Sequence, residues 1–241
     1  MNDDRLRSCP VTSILEVSKR HREAGLMIAT HTAQLAVELP DSPYRMWIDG
    51  TLDDHLPLPE IYRAEIIGGR IVLSRAEPFR HAWIVTRIIG AVSSSSHLEV
   101  VAHTGLDLAD IQDAYIPDLV LLDREHADRL ARQGVPYLRP ADVPVVVEIT
   151  SKTSARHDRV RPVSVDGACS GGKAMGYARC AVPFYLVVDC DPEVASIMLY
   201  SQPDSAAGTY LGVVTRPLGE PIQLPDLIGL TIPTDQWRTW T

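Results

Sequence analysis

Residues 115–150 constrain this chain most: two apolar segments, YIPDLVLLD and VPVVVEIT, joined by a charged connector and each carrying one inward-placed carboxylate, Asp118 and Glu148. Val145, Val146, Val147 and Ile149 surround Glu148. A continuous β-branched run marks a strand covered on both faces, where water does not easily solvate a charge. Burying an ionised carboxylate without a partner costs several kcal/mol, so two acids on neighbouring strands point to a cation held between them. A blander reading stays open beside it: Asp118 follows Pro117 and can cap its strand, and Glu148 can pair with an arginine of the connector.

The chain of 241 residues has room for one generous domain or two small ones, and 45% hydrophobic with 22% charged residues is ordinary globular chemistry. A net charge of −8 excludes a protein that coats nucleic acid by bulk electrostatics and leaves room for a local basic patch. The connector, with Arg124, Arg129, Arg132 and Arg139, reads as a solvated helix face or as such a patch. Cys9, Cys169, Cys180 and Cys190 lack the paired spacing of a zinc site, no apolar run is long enough to span a bilayer, and the N-terminus has no apolar signal core. The expectation is a cytoplasmic protein with reduced thiols and no membrane partner.

Residues 1–42 carry no recognisable chemistry and are expected to form an extension, with an amphipathic helix over 25–39. The main domain is placed at 43–241. YRAEII and RIVLS flank Gly68-Gly69, a hairpin signal. Glu65 on its first strand faces either water or the cleft of Asp118 and Glu148. The following segment spaces Trp83, Ile84, Ile88 and Val92 as a helix packing on a sheet. His81 near its start is either a surface residue or a contact to phosphate or a neighbouring acid. Further strands are expected at PFYLVVD, SIMLYS and TYLGVV and a helix at 173–180, giving an α/β (α+β) fold with a mixed β-sheet flanked by helices and extra β-hairpins.

Residues 167–173 satisfy the spacing GxxxxGK of a phosphate-binding loop. Ala174 stands where a hydroxyl should follow the lysine, and the preceding RPVSVD is a poor strand, so the match argues little for nucleotide binding.

Taken in order, LPEIYRAEIIGGRIVLS, the helix-opening His81, YIPDLVLL, VVVEITS and KAMGYARCAVPFYLVVD resemble the Uma-two family, restriction endonuclease-like proteins of the PD-(D/E)XK superfamily, over residues 58–237. The resemblance makes Asp118 and Glu148 the acids of the two half-motifs. The superfamily's lysine would fall at Thr150; members of this family commonly carry it on the following helix instead, four residues before a tyrosine, as Lys173 and Tyr177 stand here. Glu65 matches an acid of the first hairpin and Asp158 an acid ahead of the lysine. An insertion near 163–172 is the departure; it either loops out or displaces the helix that bears Lys173.

What the resemblance implies is a magnesium- or manganese-dependent endonuclease, a hydrolase of DNA phosphodiester bonds; a small acidic protein with a sheet edge is also expected to form a homodimer. Asp118, Glu148 and Glu65 would hold the metal, Lys173 would act on the attacking water or the transition state, and His81, Asp158 and Tyr177 would assist. The alternative is a catalytically impaired member of the same fold that binds nucleic acid or a protein.

Overall fold

A computed structural model describes residues 11–19, 22–23, 26–27, 31–56, 62–95, 97–160 and 172–240. Strand β1 (Val11–Lys19) is followed by the two-residue strands β2 (Arg22–Glu23) and β3 (Leu26–Met27), and β4 (His31–Leu39) returns antiparallel to β1. Helix α1 (Pro43–Ile48) begins where the Ser42 hydroxyl accepts the Arg45 N–H at 3.3 Å. The hairpin of β5 (Tyr62–Ile67) and β6 (Arg70–Arg75) turns at Gly68 and Gly69, both at positive φ (59° and 71°), a conformation that side-chain-bearing residues rarely adopt.

Helix α2 (Phe79–Ser93), strands β7 (Leu98–Ala102), β8 (Leu106–Leu108), β9 (Asp113–Tyr115) and β10 (Leu119–Asp123), and helix α3 (Arg124–Gln133) follow. Strand β11 (Val145–Ile149) leads through short α4 (Ala155–Asp158) and α5 (Lys173–Arg179) to β12 (Phe184–Asp189). The long pair β13 (Ser196–Asp204) and β14 (Thr209–Pro217) and the small pair β15 (Ile222–Gln223) and β16 (Thr231–Ile232) complete the described chain.

The mixed β-structure flanked by helices is built of two six-stranded sheets, ordered β4-β1-β6-β5-β9-β8 and β14-β13-β12-β11-β10-β7. Each contains one parallel pair, β1 with β6 and β11 with β12. The second pair is joined by a crossover carrying α4 and α5, as parallel neighbours require.

Strand β11 is buried on both faces, as its composition predicts. Val145, Val147 and Ile149 join Ile84 and Ile88 of α2 in one apolar cluster, while Val146 joins Tyr177 of α5 in another. Glu148, by the two-residue period, lies on the α5 side.

Three expectations need correction. YIPDLVLLD is not one strand: Tyr115 ends β9 in the first sheet and Leu119 begins β10 in the second, so Ile116-Pro117-Asp118 is the step between sheets. Proline cannot donate to a ladder, and the strand breaks there. Residues 31–39 are a strand rather than part of a helix over 25–39. Ala33, Leu35, Val37 and Leu39 alternate with Thr32, Gln34, Ala36 and Glu38, and this two-residue period outweighs the helical one. Trp83 is on the outer side of α2, whose buried face is His81, Ile84, Val85, Ile88 and Val92. Strand β1 pairs onto the first sheet, and its Glu16 bonds to Arg70 and Arg156 at 3.2 and 3.1 Å.

Strand β14 exposes Leu211, Val213 and Val214, and among the described residues no helix is long and apolar enough to cross a membrane. Cys180 and Cys190 are buried free thiols. The insertion near 163–172 and the lookalike phosphate loop lie outside the described residues except at Gly172 and Lys173.

Candidate active site

Six pieces of chain bring every acid and base singled out from the sequence to one place. Glu65 comes from β5, His81 from the first turn of α2, Asp118 from the step between sheets and Glu148 from β11; Asp158 ends α4, and Lys173 and Tyr177 lie one turn apart on α5. Glu65, His81, Glu148, Asp158, Lys173 and Tyr177 are buried, and the Asp118 side chain is 13% exposed.

The contacts are specific. Lys173 Nζ lies 2.9 Å from Glu65 Oε1, 3.1 Å from Glu148 Oε1 and 4.0 Å from Asp158 Oδ1. The Tyr177 hydroxyl donates to Glu148 Oε1 at 2.7 Å, and the Ile116 N–H donates to Glu65 Oε1 at 2.7 Å. His81 Nε2 meets Asp118 Oδ2 at 2.9 Å, and the Ile149 N–H donates to that same oxygen at 2.8 Å. This last bond follows from Pro117: the β10–β11 ladder ends at Leu119 opposite Val147, and the carboxylate takes the N–H that a further ladder residue would have accepted. Neither acid is paired with an arginine of the connector. Arg124 there donates instead to the Ser95 and Leu98 carbonyls.

The helix that bears Lys173 is in register with the acids, so the segment before it does not displace it. Gly172 lies against the His157 carbonyl, where an added Cβ would come within 2.7 Å of the oxygen, and this close approach sets the end of α4 beside the start of α5. Thr150, at the superfamily's usual lysine position, is committed elsewhere: its hydroxyl donates to Asp189 Oδ1 at 3.1 Å.

Burial and mutual repulsion dominate the electrostatics. Burial, with Asp158, Asp118 and Glu65 nearby, holds the Glu148 carboxyl well above its ordinary range despite Lys173. Burial pushes Asp158 up to about 7, against the pull of Lys173. Burial also opposes charge on Asp118, but His81, the Ile149 N–H and Lys173 outweigh it and hold this carboxyl below its usual value. His81 is raised, because Asp118 overcomes the burial that disfavours its charge. Lys173 is raised well above an ordinary lysine by the surrounding acids, in spite of burial, and is protonated.

Four acids thus share one ammonium and one imidazole. Asp158 is buried beside Lys173 and Ser154, and a cavity of about 30 Å³ touches Glu65, Asp118, Glu148 and Lys173. An all-carboxylate oxygen set with surplus negative charge suits a hard divalent cation. Among the described residues no three His, Cys, Asp or Glu side chains are assembled at ligand spacing, since the Lys173 ammonium stands between Glu65 and Glu148. The donor chemistry suits such an ion, while in this arrangement the Lys173 ammonium takes the space between Glu65 and Glu148. A larger cavity of about 370 Å³, touching Glu65, Asp158 and Lys173, opens beside the cluster.

Three supporting residues escape the sequence reading. Asp113 accepts the Gly68 and Gly69 N–H groups at 2.8 and 2.9 Å and the Tyr115 hydroxyl at 2.8 Å, tying the hairpin that carries Glu65 to the sheet step that carries Asp118. The Tyr115 ring meets Tyr177 edge-on, with centroids 5.2 Å apart, and passes over Gly176, where an added Cβ would lie 2.7 Å from Cζ. Asp113 two residues ahead of an aromatic and Gly176 beside Tyr177 are the only signals in the sequence, and both are ordinary.

A mixed-sheet core with a Pro-Asp acid, a strand glutamate and a helix lysine converging on one buried point defines a restriction endonuclease-like protein. A family model agrees: residues 52–235 match Uma2, described as "Putative restriction endonuclease", and the chain belongs to this family. Among solved structures, that of a putative nuclease belonging to DUF820 from Anabaena variabilis ATCC 29413 matches with a TM-score of 0.45 and 14% identity, covering 73% of this chain and 89% of that one. No curated protein matches the chain.

Proposed function

We propose that the protein is a metal-dependent endonuclease that hydrolyses DNA phosphodiester bonds, with Mg²⁺ or Mn²⁺ held by Asp118, Glu148 and Glu65. The observation that carries this reading is the surplus of buried carboxylate around a single lysine. A divalent ion bound there would supply charge neutralisation, polarisation of the scissile phosphate and activation of water.

The chain's own residues have separable tasks. His81 and the Ile149 N–H fix one oxygen of Asp118, which lines the small cavity, and keep the carboxyl ionised. Tyr177 holds Glu148 in orientation. Lys173, protonated and placed between two acids, is suited to stabilise negative charge developing on the phosphate oxygens rather than to act as a base. Asp158, beside Lys173, is suited to set that ammonium's position.

Asp118→Ala and Glu148→Ala should each abolish Mg²⁺-dependent cleavage of a plasmid or linear DNA while leaving the circular dichroism spectrum unchanged; cleavage that persists in either variant contradicts the proposal. A second reading, a non-catalytic member that binds nucleic acid or a protein, is favoured by one observation: Lys173 already bonds both Glu65 and Glu148. A thermal shift on adding Mn²⁺ that vanishes in Glu148→Gln supports the enzyme, and no shift supports the binding member.

A further inference from the structure

A second cavity, of about 360 Å³, includes His81 in its wall, the residue bonded to Asp118, and differs from the first in the acids of its lining. Its wall includes Phe79, Ile84, Cys190 and Trp240, with Arg80 and Lys152 beside them. No Asp or Glu lines it, whereas Glu65, Glu77 and Asp158 line the cavity beside the cluster. Arg75 and Lys173 also line the first cavity, so what sets the second apart in a chain of net charge −8 is that its cations, Arg80 and Lys152, face no carboxylate of the lining.

The surface next to it is aromatic. Phe79, the first residue of α2, is 80% exposed, and Trp83 one turn later is 39% exposed, with ring centroids 6.1 Å apart and planes inclined by 34°. The Arg87 guanidinium lies 5.5 Å from the Trp83 ring centroid, and Arg80 donates to the Thr239 carbonyl. Neither ring serves the core, which α2 reaches with its opposite face. Exposed aromatics alternating with arginines, over an apolar recess without carboxylates, are suited to an unpaired nucleobase: the ring stacks, and the cations meet the flanking phosphates. His81 belongs both to this wall and to the bond with Asp118, so a base seated here places its neighbouring phosphate on the side of the acids.

We infer that Phe79, Arg80 and the recess beneath them bind an unpaired nucleotide of a DNA strand, making single-stranded or frayed DNA the preferred substrate. This rests on the nuclease reading for its biological use but not for its measurement. Fluorescence anisotropy in EDTA, with the full chain and a labelled oligonucleotide offered single-stranded or as a blunt duplex, tests it. The single strand should bind at least about ten-fold more tightly than the duplex, and Phe79→Ala should weaken single-strand binding by about ten-fold, the scale of one lost stacking contact. Phe79→Tyr should restore it. Because Phe79 is exposed, the substitution leaves folding intact, checked by an unchanged Tm.

Equal affinity for the two forms, no binding to either, or indifference to Phe79→Ala overturns the inference. Cleavage distinguishes its failure from that of the nuclease reading. Phe79-dependent single-strand binding without Mg²⁺-dependent cleavage leaves this site standing and removes the nuclease. Cleavage that is equal on both forms and insensitive to Phe79→Ala does the reverse.

Discussion

Tyr177 donates its hydroxyl to the same Glu148 oxygen that Lys173 approaches, at 2.7 and 3.1 Å, so one carboxylate oxygen is fixed by two groups of one helix turn. The hydroxyl is buried among the Tyr115 and Tyr185 rings. Tyr177→Phe keeps the ring packing and removes only that bond. Loss of an outer hydrogen bond to a ligating carboxylate typically costs about 10–100-fold in metal affinity or activity. Mg²⁺-dependent cleavage should fall by that factor, with stability reduced by about 1–3 kcal/mol in a denaturant titration. Unaltered cleavage would show that Glu148 needs no orientation from Tyr177.

Gly176 offers a test of packing by the sign of a stability change. Replacing a helix-interior glycine by alanine ordinarily stabilises by about 1 kcal/mol. Here an added Cβ would sit 2.7 and 2.8 Å from Cζ and Cε2 of Tyr115, a ring that is itself bonded to Asp113 and packed on Tyr177. Overpacking of that kind costs about 1–3 kcal/mol. Gly176→Ala should therefore lower the urea midpoint, and since α5 must tilt to relieve the clash, cleavage should fall with it.

How far the sequence discloses this site depends on whether a residue breaks a local pattern. Glu148 interrupts a β-branched run and announces itself; Lys173 and Tyr177 stand out only through a family spacing, because a lysine and a tyrosine on a helix are common. The hairpin at Gly68-Gly69 is legible from its turn chemistry. The strand β4 is not, because Ala33, Ala36 and Val37 also fall at helical spacing and compete with the alternation of Ala33, Leu35, Val37 and Leu39, and pairing with β1 decides between them. Equally hidden is the division of YIPDLVLLD between two sheets. Pro117 marks a break, but nothing local says that Tyr115 and Leu119 have different neighbours.

Glu16 links the N-terminal strand to the site's scaffold. It is buried on β1 and accepts from Arg70 of β6 and Arg156 of α4, and His157 Nε2 lies 3.7 Å away. Arg156 is two residues from Asp158. Glu16→Gln keeps the shape and removes the charge from a partly exposed network, which should cost about 1–2 kcal/mol. Hydrogen exchange should quicken in β1 and α4 with little change in β12 and β13. Exchange unchanged in α4 would mean that the N-terminal strands do not help to hold Asp158.

Asp158 should leave a signature in the pH dependence of stability. Its carboxyl is raised by burial from an ordinary value of 3.8 to about 7, so between these limits the folded chain holds a proton that the unfolded chain has released. Stability falls with rising pH wherever the native state binds more protons. The contribution of this group is thus fully present below about pH 4 and is lost as pH climbs toward 7. Asp158→Asn, which keeps the shape without the titration, should gain Tm relative to the parent across that window when both are measured in EDTA. Divalent metal should diminish the difference, because an ion near the cluster stabilises the ionised acids. Parallel Tm–pH curves for parent and variant would show that Asp158 ionises at its ordinary value and that Lys173 alone neutralises the cluster.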